Sequence, residues 1–520
     1  MNLGRYITRA ARRYPDQIAV SDANGRTTYK MFEERTNRLA QGLLCLGLHP
    51  GDRVAVQSWN RSEIVELEVA CYKAGLVKVP VNARLARAEV LHVLNNAEPS
   101  AMVAGPEHAA ELASIQAETP GLKHLICMGT PPEGKISYET LLAESTPEFP
   151  DIEVEPDDVA VLHYSSGTTG KLKAIMQTFG NRLAVIRKAL MRSHQDGFSN
   201  QTILVHVGPI THASGMLLMP ILYVGGTNLI LGRFDVEELL ATIEREKATH
   251  VMMVPTMINM ILSHPAGRKY DLSSLRGVLY GASPISVARI KEAVEFFGPI
   301  LTQGYGMGES TSMTTCLTVE DHIEAIESGN DRRLTSCGRP IYDTIVRVVK
   351  EDGKDVAPGE VGEIIIQGSD VMKGYYKEPE LTAETLKNGW LYTRDMATVD
   401  EQGFIYLVDR KSDMVICGGF NVYPTEVEQV LYAHPDVYEA CVFGVPDEEW
   451  GEAIMAVCVL KEGCCCCDQD IVEYCKANLA GYKKPKHVEI VKELPKSPNG
   501  KVVRRKVAEK YWAGKERRVN

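Results

Sequence analysis

The stretch Tyr164-Ser165-Ser166-Gly167-Thr168-Thr169-Gly170-Lys171-Leu172-Lys173 follows at once on the apolar run Val159 to Leu162. Glycines let a backbone turn its N–H groups toward an anion, and the hydroxyls add further donors. Lys173 supplies a positive charge for a polyphosphate. The spacing does not fit a Walker loop, which needs four residues between its glycines and then Lys followed by Ser or Thr. A flexible surface loop is the plain alternative. Four hydroxyl residues and two glycines placed directly after a buried strand argue against it.

Working outward, the same switch from an apolar run to small residues recurs. Ile203 to Val207 runs into Gly208-Pro209, and Val251 to Val254 into Pro255-Thr256. Gly277 to Tyr280 runs into Gly281-Ala282-Ser283-Pro284, and Ile300 to Gln303 into Gly304-Tyr305-Gly306. Helical patterns such as Val236 to Glu246 and Val287 to Phe296 lie between them. Strands alternating with helices predict parallel sheets covered on both faces, with ligands bound where loops leave the carboxyl ends of strands. After about residue 335 hairpins take over. Ile345 to Val349 and Val361 to Gln367 flank Asp352-Gly353 and Pro358-Gly359, and Phe404 to Val408 follows Gln402-Gly403. A last segment opens near Arg410-Lys411-Ser412 and predicts a helix over Thr425 to Ala433, with strands near Ala440–Val445 and Ile454–Leu460.

At 520 residues the chain predicts two or more domains. The net charge of −11 argues against a nucleic-acid partner. No apolar stretch is long and pure enough for a membrane span; Gly215 to Leu231 is interrupted by Pro220, Gly225, Gly226, Thr227 and Asn228. Leu3, Tyr6, Ile7, Ala10 and Ala11 at helical spacing, followed by Asp16, predict a first surface helix rather than a transit peptide, so cytoplasmic residence is expected. Thirteen cysteines show no disulfide framework. The run Cys464-Cys465-Cys466-Cys467 reads as a solvated loop, because neighbouring side chains diverge and do not form the paired C-x-x-C grip on zinc.

Further motifs follow in order: Gln303-Gly304-Tyr305-Gly306-Met307-Gly308-Glu309, Trp390-Leu391-Tyr392-Thr393-Arg394-Asp395, Asp409-Arg410-Lys411-Ser412-Asp413, Gly418-Gly419-Phe420-Asn421-Val422-Tyr423-Pro424, and Pro495-Lys496-Ser497-Pro498-Asn499-Gly500-Lys501. A dinucleotide fingerprint fails at the first of these, since Glu309 stands in the place of a third glycine. As an ordered set they resemble the adenylate-forming superfamily, which includes acyl-CoA synthetases, luciferases and the adenylation domains of peptide synthetases. The resemblance spans about residue 10 to about residue 508.

The resemblance implies a large N-terminal part, 1–411, of parallel α/β layers plus a small antiparallel barrel, followed by a mobile α+β domain, 412–520. It implies an acyl-CoA ligase that makes an acyl-adenylate from ATP and a carboxylic acid, then the thioester, using magnesium and coenzyme A. On the matching positions Ser165, Ser166, Gly167, Thr168, Thr169, Gly170 and Lys173 would hold phosphates, and Gly281, Ala282, Ser283, Gly304, Tyr305 and Gly306 the adenine side. Asp395 would bind the ribose, Arg410 ribose or phosphate, and Glu309 the metal; magnesium suits one carboxylate beside phosphates. Lys501 would be the adenylation lysine and Ser412 the hinge, while His212 would gate or line the acid pocket. Gly418 and Gly419 would line the pantetheine tunnel, with Trp450, Tyr482 and Lys484 at the nucleotide end of CoA. Gly304 and Ala213 are small where bulk could close the cavity, which predicts an aryl or medium-to-long acyl acid. Gly308 stands where the family usually has Thr, Arg394 where Gly is frequent, and Ser412 where Asp or Lys is common. A carrier-protein-loading enzyme and a catalytically silent nucleotide-binding protein are the alternatives, and the chain is expected as a monomer or homodimer.

Overall fold

The protein, a computed structural model, is described over residues 2–166, 172–192, 197–411, 413–417, 420–447, 450–464, 466–496 and 502–512. Two large sheets dominate. In one, Leu301–Gly306, Gly277–Gly281, His250–Met253, Ile203–His206, Thr227–Ile230 and Ile18–Asp22 run parallel, with antiparallel strands added at both edges. In the other, Val159–Ser166, Val77–Asn82, Arg53–Ser58, Ala101–Ala104, His124–Cys127 and Ile136–Ser137 are parallel, and Leu172–Thr178 turns back antiparallel on Val159–Ser166. The apolar runs read from the sequence are therefore strands, and the intervening Val236–Glu246 and Val287–Phe297 are helices, as their spacing predicts. Two boundaries move. The strand expected to end at Gln303 continues to Gly306, because its backbone pairs with Met313–Leu317. Ser165 and Ser166 likewise stay in a strand, held opposite Lys173 and Leu172.

Helix Ser62–Ala74 is buried from Ile64 to Ala74 and packs on strands of both sheets. Its core position is compatible with charge only because every charge is met. The Glu68 carboxylate accepts from Lys78 at 2.6 Å, Arg182 at 2.8 Å and the Tyr72 phenol at 2.9 Å. Lys73 donates to Glu33 at 2.7 Å and to Asn37 at 2.6 Å, and Glu66 binds Arg35 and Tyr138. The N-terminal helix Gly4–Arg13 docks Leu3, Ile7, Ala10 and Ala11 into the same core.

Downstream, Thr344–Val349, Gly362–Gly368 and Trp390–Val399 form an antiparallel sheet that Ile405–Arg410 joins, as the turn signals predict. The last sheet pairs Val437–Asp447 with Gly451–Leu460 and packs on helices Pro424–Tyr432 and Asp468–Asn478. Among the described residues the twelve cysteines are free, and no helix is long and apolar enough to cross a membrane.

The Glu68 cluster generates a pH prediction. Burial alone would raise its carboxyl pKa, but Lys78 and Arg182 outweigh burial and pull it from 4.5 to about 2. Its stabilisation is present above the unfolded value of 4.5 and is lost as pH falls toward about 2. Glu68→Gln strands two buried cations and should cost about 3–5 kcal/mol at pH 7 while flattening the acid limb between those pH values. Denaturant unfolding at a series of pH values checks both; an unchanged acid limb contradicts the assignment.

Candidate functional site

The site forms where strands Gly277–Gly281 and Leu301–Gly306 end side by side. Gly281 pairs with Gly304 so closely that a Cβ on Gly281 would stand 2.2 Å from the Gly304 carbonyl oxygen. Ala282 then takes a left-handed turn, φ +71°, that carries the chain across the strand ends toward Ser283. A side chain at Gly306 would strike the Ser312 carbonyl at 2.1 Å. These glycines follow from steric necessity between paired backbones, whatever they bind.

From the same strand the Tyr305 phenol donates to Asp395 at 2.6 Å. Burial, with Asp395 beside it, pushes this phenol well above its ordinary range, so it remains a proton donor. Asp395 lies opposite Arg410 in the barrel sheet, and Arg410 Nε stands 3.5 Å from the other carboxylate oxygen. Arg394, the residue in the place of a frequent glycine, has φ +62°, and its N–H donates to Glu363 at 3.0 Å. The left-handed kink that glycine makes freely is therefore kept, at a steric cost of about 1–2 kcal/mol. Thr393 and Asp395 face inward on either side of it.

Four residues beyond Tyr305, Glu309 sits on the short turn Gly308–Ser310 and accepts from the Tyr375 phenol at 2.8 Å. Burial and then Glu309 push that phenol up as well. Lys173 Nζ lies 5.9 Å from the Tyr375 ring centre, so one tyrosine touches both the carboxylate and the lysine. Sequence reasoning missed Tyr375. Its only signal is the pairing of Gly374–Tyr375 with Ile175 and Met176, about two hundred residues away in sequence.

His212 starts the turn Ala213–Leu217, and its ring meets that of His163 edge-on at 5.4 Å. Burial lowers His212 to about 4, and burial with His212 nearby lowers His163 to about 3, so both are neutral at pH 7. His163 also explains the departure at Gly308. A Cβ there would stand 2.6 Å from Ile175 Cδ1 and 3.3 Å from His163 Cδ2, so the volume of the usual threonine is already filled. His163 is the second residue missed, hidden in a strand where a histidine reads as structural.

Gly304 does not face open space. A Cβ on it would overlap Met313 Sδ at 1.9 Å, and Met313 packs on the apolar group Leu204, Leu217, Ile221 and Leu279. A separate cavity of about 410 Å³, lined by Thr202, Thr249, His250, Arg276 and Ile300 among others, opens at the amino ends of these strands, away from the site.

In the C-terminal sheet Cys417 pairs with Phe420 on one side and with Gly451 on the other. The Phe420 ring stacks on Tyr482 at 4.7 Å, and both Phe420 and Trp450 are exposed. Lys484 is half-buried, and Lys483 pairs with Glu426. Asp409 accepts from the Thr425 N–H at 2.8 Å and from Arg504 at 3.2 Å. Arg504, which alone reads as part of a basic tail, instead also binds Asp413 and Glu428. Lys496 bridges Val502 across the chain. Gly167, Thr168, Thr169, Gly170, Ser412, Gly418, Gly419 and Lys501 lie outside the described residues, as does the Ser166 side chain.

Asp395, Arg410, Tyr305, Glu309 and Lys173 thus gather near the carboxyl end of one strand. The chain belongs to the AMP-binding enzyme family, as an acyl-CoA ligase of the adenylate-forming superfamily. The description "AMP-binding enzyme" matches residues 7–376, and "AMP-binding enzyme C-terminal domain" matches 426–501. The chain is 38% identical to a feruloyl-CoA synthase of Amycolatopsis sp, over 98% of this chain and 99% of that one. It is 34% identical to the medium/long-chain-fatty-acid–CoA ligase FadD8 of Mycobacterium tuberculosis, over 99% and 91%. ATP-bound MatB of Rhodopseudomonas palustris superposes with a TM-score of 0.87 at 29% identity, covering 99% of each chain.

The packing at Gly308 predicts that Gly308→Thr lowers ATP–pyrophosphate exchange rather than restoring a missing hydroxyl contact, because overpacking costs about 1–3 kcal/mol. Adding Ile175→Ala should recover much of the loss. A single variant as active as the parent would contradict this packing.

Proposed function

We propose that this ligase activates an apolar acid, aromatic or medium-to-long chain, in preference to acetate, and passes it to coenzyme A. The observation that supports this reading is the apolar packing beside Gly304. Met313 lies over Gly304, with Leu204, Leu217, Ile221 and Leu279 behind it and Phe198 and Met252 packed against them. Acetate has no chain to bury there, whereas each additional buried methylene contributes about 0.8 kcal/mol. The relatives that act on ferulate and on medium and long fatty acids support the same class.

A carboxylate is a poor electrophile because oxide is a poor leaving group. Attack of its oxygen on the α-phosphorus of ATP expels pyrophosphate and leaves a mixed anhydride with AMP as a good leaving group. In this reading Asp395, oriented by Tyr305, accepts from the ribose hydroxyls, and Arg410 contacts ribose or phosphate. The Gly281-Ala282-Ser283 turn and Tyr305 border adenine, and Ser165 to Gly170 with Lys173 cradle the phosphates. Tyr375 occupies one oxygen of Glu309 and leaves the other free of that contact, which fits a single-carboxylate magnesium site. Held at Glu309, magnesium would supply positive charge against the phosphate oxygens. Neutral His212 lines the acid pocket with His163 behind it. Lys501 arrives from the C-terminal part to neutralise charge developing at the reacting phosphate, an interaction of a kind worth roughly 3 kcal/mol.

The C-terminal part, from Ser412 onward, then rotates to withdraw Lys501 and complete a CoA tunnel at Gly418 and Gly419. Trp450, Tyr482 on Phe420, and Lys484 offer aromatic faces beside cations, which suits the CoA nucleotide better than carrier-protein loading.

AMP release measured with CoA and acetate, octanoate, benzoate and a hydroxycinnamate tests the acid class. Acetate should be the poorest, and acetate exceeding both octanoate and benzoate refutes the pocket reading. Trp450→Ala should raise the KM for CoA about tenfold while leaving pyrophosphate exchange unchanged, stacking being worth about 1–3 kcal/mol. Loss of exchange would show that Trp450 serves the first half-reaction or the fold.

A further inference from the structure

Beyond the end of helix Pro424–Tyr432 stands His434, whose imidazole is buried. Tyr474, from helix Asp468–Asn478, packs edge-on against the ring at 4.7 Å, and the Asp436 N–H donates to Nδ1 at 3.1 Å. Nε2 then faces the cysteine-rich loop, where Cys466 Sγ lies 3.9 Å away. The carboxylate of Asp436 completes the group: ligand atoms of His434, Asp436 and Cys466 all lie within 4.8 Å of one another. The loop expected from the sequence is present, but one of its thiols turns back onto the protein. Cys464 stands half-buried and Cys467 exposed beside it, and Cys467 opens the next helix with its N–H bonded to Asp470 at 3.0 Å.

We propose that His434, Asp436 and Cys466 form a site for one borderline-soft divalent cation, with zinc as its best match. Zinc binds Cys sulfur at about 2.3 Å and His nitrogen or carboxylate oxygen at about 2.0–2.2 Å in a tetrahedron, so neighbouring ligand atoms stand roughly 3.3–3.7 Å apart. The sulfur and nitrogen are within a few tenths of an ångström of that spacing before any cation arrives. Thiolate and imidazole select against magnesium and calcium, which take oxygen ligands. The fourth position is taken by water or by the Cys464 or Cys467 thiol. Binding requires the Nε2 lone pair, so the ring proton moves to Nδ1 and the Asp436 peptide gives up its hydrogen bond. Cys466 loses its proton to solvent and becomes the thiolate ligand. The bound cation ties the loop before helix Asp468–Asn478 to the helix whose other end, at Thr425, holds Asp409. It therefore stabilises the C-terminal part by linkage, and its site is separate from the nucleotide's own metal.

The full-length protein, stripped with a chelator, is titrated with cobalt(II) and then zinc(II). A thiolate-to-cobalt charge-transfer band with tetrahedral d–d absorption should saturate at a single equivalent, yield to zinc and persist in excess magnesium. It should be lost in Cys466→Ser and in His434→Gln. No band in the parent protein overturns the proposal, and so does a band that survives both changes, since the remaining thiols would then bind cobalt adventitiously. A second measurement needs no variant. Zinc should protect Cys466 from alkylation by iodoacetamide, mapped by peptide mass, while exposed Cys45 stays reactive. Equal alkylation of Cys466 with and without zinc overturns the site.

Discussion

The hydrogen bond from the Tyr305 phenol to Asp395, 2.6 Å long, spans ninety positions of sequence and joins the parallel sheet to the antiparallel one. Both partners are largely withdrawn from water, so the bond offsets part of the desolvation cost of each. Their pairing sets where the barrel sheet sits relative to the strand ends. That position in turn brings Arg410 beside Asp395 and leaves Glu309 one short turn away, against Tyr375. Groups from four separate segments, at 305–309, 375, 395 and 410, meet around this junction.

The layer beneath is equally constrained, though by charge. Helix Ser62–Ala74 carries Glu66, Glu68 and Lys73 between two sheets, where an unpaired charge would be prohibitive. Glu68 is met by Lys78 from a strand and by Arg182 from helix Phe179–Arg192. A shift of either element by one residue would unpair it, so the cluster specifies register as well as contributing stability. His163 and His212 sit in the same dry region and are neutral for the same reason, burial disfavouring their charged forms.

At the other end of the molecule the contacts are of a different kind. Asp409 is shared between Thr425 and Arg504, and Arg504 also reaches Asp413 and Glu428. These are charged contacts among partly buried side chains, in place of the apolar packing seen elsewhere. The cysteine loop lies just before helix Asp468–Asn478, and its proposed cation would brace this part internally.

A candidate phosphate loop could be read along the chain, because phosphate recognition needs glycines, hydroxyls and a lysine in one local run, and a short motif can carry them. Asp395, Arg410, Glu309 and Tyr305, singled out only by the family resemblance, do lie together in the structure; the strands were legible because their apolar runs end abruptly at small residues. What remained hidden depends on contacts between distant segments. Tyr375 reaches Glu309 only because a two-residue strand pairs with Leu172–Thr178, and Gly308 lacks a side chain because Ile175 and His163 fill the space. Arg394 keeps a glycine-like backbone angle that its side chain conceals, and Cys466 finds His434 across a turn that no spacing rule describes. The sequence by itself determined the alternation of strands and helices and the chemistry of each loop, since these depend on local polarity and backbone freedom. Tertiary structure alone decided which loops meet, which volumes are filled and which charges are paired, since those follow from packing between residues tens to hundreds of positions apart.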